Sequence, residues 1–368
     1  MTKNAKASPA DTPGPSGTAS HAAQIGGHGA ASLPAVEVDT YNAELRDGDG
    51  FIGDRASARA FRAILSDERE RAASGDEDPI GDVPSDRISK RKLDKLITEG
   101  DPQAAGVVLG TIEEFAQEFA AVIRRFMRLK AWSDTQRIVI GGGLRDSRIG
   151  ELAVGRAAVL LKGSGHELEL RLIRHHPDEA GLIGAVHLAP SWIFSGHSAI
   201  LAVDIGGSNI RAGIVELNVK KAPDLSKSEL LASELWRHAD DKPDRTQAVD
   251  GLTRMLRDLI KRSEKEGIEL APFIGIGCPG IIRADGSIKK GGQNLPGDWE
   301  HKEFNLPALV RAAIPTIDGH EVAVIMHNDA VVQGLSELPF MQDVAHWGVM
   351  TMGTGLGNAR FSNRSKTA

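Results

Sequence analysis

Five short stretches combine residue types that handle phosphate, metal ions and hydroxyl groups. In "DIGGSN" an apolar run ends on Asp204, and Gly206 and Gly207 let the backbone come close enough to an anion for main-chain N–H groups to bind it. Ser208 and Asn209 complete that turn. A carboxylate beside bound phosphates repels them unless Mg²⁺ lies between, so Asp204 is a candidate for holding metal-bound water. A ligand-free Gly-Gly turn is the competing reading. "GTGLG" supplies a second corner, Gly353, Thr354, Gly355 and Gly357, with a hydroxyl on Thr354. A third, Gly141, Gly142 and Gly143, lets a nucleoside lie flat on the backbone. In "HNDAVVQGLSE", Asn328 and Asp329 close an apolar run ahead of a helix. They are either a helix N-cap or a hydroxyl-fixing amide and a base that accepts the hydroxyl proton during phosphoryl transfer. Asn294 in "GGQNLPGDW" is an ordinary loop residue or a polyol contact. No GxxxxGK(S/T) loop occurs, and neither "GGGLRDSRIG" nor "GIGCPGII" has the spacing and following helix of a dinucleotide fingerprint.

Each glycine corner needs a strand to aim it. "RIVIGGG", "AILAVDIGGSNIRAGIVEL" and "HWGVMTMGTGLGNARF" read as strands running into glycine turns, and "FIGIGCPGII" and "VAVIMHND" as buried strands ending in polar turns. Between them lie helical patterns. Phe115, Phe119, Val122, Ile123, Phe126 and Met127 form one stripe with Glu113, Glu114, Arg124 and Arg125 facing elsewhere, which predicts a core helix. A helix over Phe51 to Arg71 and an exposed loop over Ser74 to Pro84 are also expected. The basic run "SKRKLDK" from Ser89 reads as a solvated helix face. Strands alternating with helices predict an α/β protein.

Composition narrows the function classes. The 368 residues contain 41 glycines, above the roughly 7% of an average protein. Aromatics reach 4%, with Tyr41 the single tyrosine, and the net charge is −6. That disfavours nucleic acid and anionic lipid as partners. The longest apolar runs are too short for a membrane span. Cys278 is the single cysteine, so a disulfide or thiolate zinc cluster within this chain is excluded, and a reducing, cytoplasmic setting is expected. The stretch 1–35, rich in Ala, Gly, Ser and Pro, is expected to be a disordered tail.

Together these motifs resemble the ROK family of sugar kinases, within the superfamily of actin, hexokinase and the seventy-kilodalton heat-shock proteins. "LAVDIGGSNIRAGIVEL" is similar to that family's first phosphate motif, "GIGCPGII" to its connecting strand and "NLPGDW" to its sugar loop. "HNDAVVQGLSE" is similar to the catalytic Asn-Asp segment, "GVMTMGTGLG" to the second phosphate motif, and "RIVIGGGL" to the adenosine motif. The order is rotated: the adenosine motif and the closing helix "PDEAGLIGAVHLA", which end the usual chain, here come first. The resemblance therefore implies a circularly permuted chain, joined through "PSWIFSGHS" and opened between "NARFSNR" and the region of Val36, with its ends near each other.

The implied fold is a two-lobed, actin-like ATPase of ribonuclease H-like domains around a cleft. One large lobe takes residues 36–178 and 325–368, and a small lobe takes 179–324. The resemblance implies ATP and Mg²⁺ as cofactors, a hexose as substrate, phosphorylation at the 6-hydroxyl, Asp329 as general base, and Asn328, Asn294 and Gly280 as substrate contacts. It also suggests a homodimer. Departures concern the sugar and the zinc. "GFIGDRASARAF" aligns with the family's "GCLExxASxxAI", which puts Glu44, Arg46 and Phe51 at cysteine positions and Gly53 at that of a sugar-contacting glutamate. No structural zinc is expected. The "ExGH" sugar motif is replaced by "LPAVEVDTYN", leaving Glu37, Asp39, Asn42 and Glu44 as substitutes. Ser208 replaces a usual threonine, and Asn358 stands where glycine is common. A sugar or nucleotide sensor without turnover and a superfamily ATPase without a sugar acceptor remain open.

Overall fold

The computed structural model describes residues 26–48, 50–73, 77–353 and 355–364. Thr354 and residues 1–25 of the expected tail lie outside them.

In chain order, β1 (Val36–Tyr41) precedes a small hairpin, β2 (Arg46–Asp47) and β3 (Gly50–Phe51). A 3₁₀ turn then leads into α1 (Ala58–Ala72), α2 (Lys90–Glu99) and α3 (Pro102–Met127). Asp101 caps α3 through its side chain and Pro102 opens it, a start that the missing proline N–H does not weaken. The apolar stripe of α3 is buried as its spacing predicts. Then come β4 (Arg137–Gly142), α4 (Arg148–Gly163), β5 (Glu169–Leu172) and α5 (Pro177–Gly184).

The next segment begins with β6 (Ala199–Ile205), β7 (Ile210–Glu216) and β8 (Glu229–Trp236). After the short α6 (His238–Asp241) comes α7 (Arg245–Glu266), which has an Asp244/Gln247 capping box and stops at Gly267 in the left-handed region. β9 (Leu270–Cys278), α8 (Leu306–Ala313), the minor β10 (Thr316–Ile317) and β11 (His320–Glu321), and β12 (Ala323–Asn328) follow. The chain ends with α9 (Asp329–Leu335), β13 (His346–Met352) and β14 (Leu356–Asn363).

Two five-stranded sheets result, ordered β12-β9-β6-β7-β8 and β1-β14-β13-β4-β5. They are built alike. In each, three strands form an antiparallel meander, β6-β7-β8 or β13-β14-β1, and two further strands add in parallel beside the first of the three. This is the duplicated ribonuclease H-like arrangement of the actin-like ATPases. β6 is buried along its whole length, as expected for a strand covered on both faces. Helices α5 and α9 form a layer between the sheets, and one core joins Leu182, Ile183 and Val332 on them to Ile200 and Phe273 of the first sheet and Val349 and Phe361 of the second. A Cβ on Gly184 would collide with the Val332 carbonyl oxygen, so only glycine permits that helix crossing. Helices α7 and α8 cover the outer face of the first sheet, and α1, α3 and α4 that of the second.

The permutation is explicit in the second sheet. Its meander is broken between the second and third strands, and the two ends pair: Val36 lies opposite Asn363 in antiparallel register. The Arg364 guanidinium donates to Glu37 (2.9 Å) and Ser32.

The tail expectation fails over residues 26–35. Gly29 N–H donates to the Met326 carbonyl (3.0 Å), Met326 N–H donates to His28 Nδ1 (3.2 Å), and Leu33 is 2% exposed in the core shared by the sheets. Small residues that read as a tail are those that fit against the free edge of β12.

Candidate active site

Two carboxylates stand at the ends of strands that flank β9. Asp204 is the next-to-last residue of β6, opposite Gly277, and Asn328 closes β12 opposite Cys278, with Asp329 next in the chain. A Cβ on Gly277 would lie 3.4 Å from the Val332 Cβ and 3.6 Å from Asp204 Oδ1 and the Asp329 Cα, so the missing side chain leaves a methyl-sized gap between the aspartates and Val332. Asp204 is 6% exposed. Burial, then the charge of Asp329, pushes its carboxyl up to about 7 against the pull of Arg211, whose guanidinium lies 4.0 Å away and also pairs with Asp178. Burial likewise pushes Asp329 up to about 6, opposed by the Ala330 N–H that donates to its Oδ1 (2.9 Å). Burial, then the charges of Asp329 and Asp204, raises the neighbouring Cys278 thiol well above its usual range. A carboxylate so short of positive charge fits a cation. No group of three His, Cys, Asp or Glu able to hold a metal exists among the described residues. That donor set suits Mg²⁺ held through one carboxylate, water and phosphates rather than by an all-protein cage.

Asn328 performs the helix-cap role. Its Oδ1 accepts from Ala330 and Val331 N–H, and its Nδ2 donates to the Gly280 carbonyl (3.0 Å). Its side chain also hydrogen-bonds the Asp329 carboxyl and works against the burial that raises it. Gly280, at φ +99°, thus offers a carbonyl already engaged. Asn294 is exposed, with its Cβ 3.0 Å from where a Cβ on Gly207 would lie, so the loop over 291–299 closes on the first phosphate corner.

In that corner the Gly206 N–H donates to the Asn209 carbonyl (2.8 Å), while the N–H groups of Gly207, Ser208 and Asn209 have no acceptor among the described residues. Three unengaged amides on one turn are what an anion needs. The second and third corners adjoin because β13 and β4 pair in parallel, setting Thr351 opposite Gly141 and Met352 opposite Gly142. Gly142 has φ +92°, and a Cβ there would collide with the backbone of Met352. Gly143 N–H donates to the Met352 carbonyl (3.1 Å) and its own carbonyl accepts from Lys90 Nζ, so the run read as a solvated basic face braces the third corner. Gly353 N–H reaches the Gly355 carbonyl (2.9 Å), and Gly355 has open space around it. Gly357 comes within 3.2 Å of the Ala330 Cβ, counted from an added Cβ, which brings the second corner beside Asp329.

Sequence reasoning missed a cavity of about 820 Å³ beside Gly353, lined by Arg59, Arg62, Ser66, Glu70 and Ser85. The N-terminus of α1 is tied to that corner, since Ala58 N–H donates to the Gly353 carbonyl (3.2 Å). Its signal was available in "ASARAFRAI", where alanines leave one helix face open between arginines.

At the family's zinc-ligand positions the Arg46 guanidinium lies 3.6 Å from the centre of the Phe51 ring and Glu44 pairs with Lys290 (3.3 Å). An arginine stacked on an aromatic ring is no zinc donor set. A Cβ on Gly53 would lie 3.1 Å from the Leu356 Cβ, so a glutamate there requires Leu356 to move. Among the described residues no helix is long and apolar enough to cross a membrane.

No family model and no curated protein matches the chain. Solved structures do. A Listeria monocytogenes protein provisionally assigned as an N-acetylmannosamine kinase is 25% identical at a TM-score of 0.33, covering 45% of this chain and 47% of its own. A ROK hexokinase from Thermus thermophilus is 22% identical at 0.25, covering 36% and 35%. An exopolyphosphatase from Cytophaga hutchinsonii is 16% identical at 0.21, covering 48% and 53%. The chain spans about half or less of the length of the solved sugar-kinase chains it matches.

Proposed function

We propose that this protein is an ATP-dependent sugar kinase that phosphorylates a hexose hydroxyl, at O6, in the cleft between its two sheets. One observation carries the reading: Asp204 and Asp329 share the gap over Gly277, with one glycine corner from each sheet beside them. The named activities of the sugar kinases it resembles agree with it.

In this reading Asp329 takes the proton from the attacking hydroxyl oxygen. Its carboxyl, pushed up to about 6, is mostly ionised at pH 7 yet basic enough to accept that proton. The side chains of Asn328, which also bonds the base, and of Asn294 orient the sugar. The amides of Gly207, Ser208 and Asn209 and the corner at Gly353 to Gly357 bind phosphates, and the base and ribose take Gly141 to Gly143 and the cavity over α1. Asp204 would hold Mg²⁺, which would supply positive charge against that of the phosphates. Closure of the sheets about α5 and α9 excludes water, the competing acceptor. The partners implied are a hexose and a second copy of the chain, with no nucleic acid and no membrane.

The test is ADP release across a panel of hexoses and amino sugars. Sugar-dependent release that Asp329→Asn removes supports the reading. ATP hydrolysis indifferent to every sugar makes the protein an ATPase of the same fold, and sugar or nucleotide binding without turnover makes it a sensor.

A further inference from the structure

Of the four side chains that stand in for the missing family sugar motif, the structure engages two elsewhere. Glu37 accepts from Ser32 and Arg364, and Asp39 accepts from Arg360 and Ser362, on the outer edge of the second sheet. The other two lie in a turn at the end of β1 that is fastened at three points. Asn358 is 2% exposed and grips the turn with its whole side chain: Oδ1 accepts from Ala43 N–H (2.9 Å), and Nδ2 donates to the Ala43 carbonyl (3.1 Å). Its backbone carbonyl accepts from Asn42 N–H (2.8 Å). From the loop that follows β9, Lys290 pairs with Glu44 (3.3 Å), and the Ile282 N–H and carbonyl both meet the Tyr41 hydroxyl (3.3 Å each).

So held, Asn42 sits at φ +50°, a left-handed backbone that asparagine tolerates better than most residues. Its Nδ2 lies 3.2 Å from where a Cβ on Gly291 would be, and that point lies 2.8 Å from the Gly280 Cα. The Gly280 carbonyl is the acceptor of Asn328 Nδ2. Gly291 therefore lies between Asn42 and Gly280, whose carbonyl holds the residue beside the proposed base. No hydrogen bond engages the Asn42 carboxamide among the described residues, whereas Ala43 on one side of it and the Tyr41 hydroxyl on the other are both bonded.

We propose that Asn42 is the acceptor-specificity residue of this protein, hydrogen-bonding a hydroxyl of a neutral hexose remote from the reacting one, and that Asn358 and the Lys290–Glu44 pair are positioning residues that hold it there. The proposal rests on the kinase reading and explains why asparagine replaces glycine at 358. A carboxamide offers both a donor and an acceptor, which matches a hydroxyl without favouring a charged sugar.

The test compares steady-state constants for hexose and ATP in the full chain. Asn42→Ala is expected to raise the hexose KM about tenfold and leave the ATP KM within about twofold, the pattern of lost acceptor binding. Asn358→Ala does the same, and in the double variant it adds little, because both act on one contact. Asn358 is buried, so Lys290→Met, at an exposed site, is the companion that keeps the fold; its hexose KM rises about threefold. Glu37→Gln leaves both constants unchanged. A hexose-dependent wild type whose hexose KM is unmoved by Asn42→Ala and Lys290→Met overturns this proposal alone. A wild type that consumes ATP without regard to sugar overturns the kinase reading and this proposal with it.

Discussion

The first sheet is made from one continuous stretch of chain, β6 to β12, whereas the second, with the same strand order, is made from the two ends. The contiguous sheet closes its meander through a loop between β7 and β8; the split sheet leaves the corresponding turn open and relies on Val36 pairing with Asn363. Two sheets of one design, with and without that covalent link, show that register and burial specify the arrangement and chain order does not. The sheets also divide the chemistry. Both aspartates stand at strand ends of the contiguous sheet, while two of the three glycine corners belong to the split one.

That division is broken or sharpened first at Asp329. If the contiguous sheet supplies the base and the split sheet the nucleotide cradle, Asp329→Asn lowers kcat by about 10³-fold while nucleotide affinity stays within about twofold. In the wild type kcat falls as pH drops through about 6, where the carboxyl takes up its proton. An equal loss of nucleotide affinity in Asp329→Asn, read by calorimetry, would remove the division.

The same residue has a stability side. Burial raises the Asp329 carboxyl from 3.8 to about 6, so the ionised form is disfavoured in the folded protein. A raised carboxyl pKa costs stability fully above the folded value and not at all below the unfolded one. Asp329→Asn therefore stabilises the protein by up to about 3 kcal/mol at pH 7 to 8. The gain disappears by about pH 4. Denaturant melts at both pH values test this, and a destabilised variant at pH 8 would contradict it.

How far the sequence announced these features follows from their range. The glycine corners, the aspartates and the rotated order were legible because each is a local pattern of strand and turn. Asn328 was readable only as a choice between cap and substrate contact, since an Asx before a helix looks the same in both roles; the structure has it capping α9 and bonding Gly280 and Asp329. Residues 26–35 were misread because their order comes from the edge of β12, some 300 positions away in sequence. The Asn358 grip on Ala43, between residues 315 apart, left no local trace except an asparagine where glycine is usual.

In the split sheet the corresponding lesion is Gly142→Ala. The backbone there is left-handed and a Cβ strikes the backbone of Met352, so β4 must separate from the end of β13. A loss of at least about 2 kcal/mol is expected, together with weakened nucleotide binding. If nucleotide affinity survives intact while Asp329→Asn abolishes it, the sheets have been assigned the wrong halves of the chemistry.

The smallest effect is expected from restoring the missing link. Val36 and Asn363 face each other in antiparallel register, so a two-residue Asn-Gly turn between them closes a hairpin of the favoured type. New ends can be opened at Gly196, in an exposed connector between the sheets. The rearranged chain runs from residue 197 to 363, through the turn, and from 36 to 196. It loses the segment over 26–35 and with it the buried Leu33, a cost of about 2 kcal/mol. It gains a short local closure in the place of a pairing between distant ends, which offsets part of that cost. Net stability within about 2 kcal/mol of the parent, and kcat within a few fold, are the expected results. A chain that fails to fold would mean that the edge segment along β12, and not the pairing of β1 with β14, holds the split sheet together. Supplying residues 26–35 ahead of residue 36 through a longer connector then separates the two causes, because only the first is repaired by it.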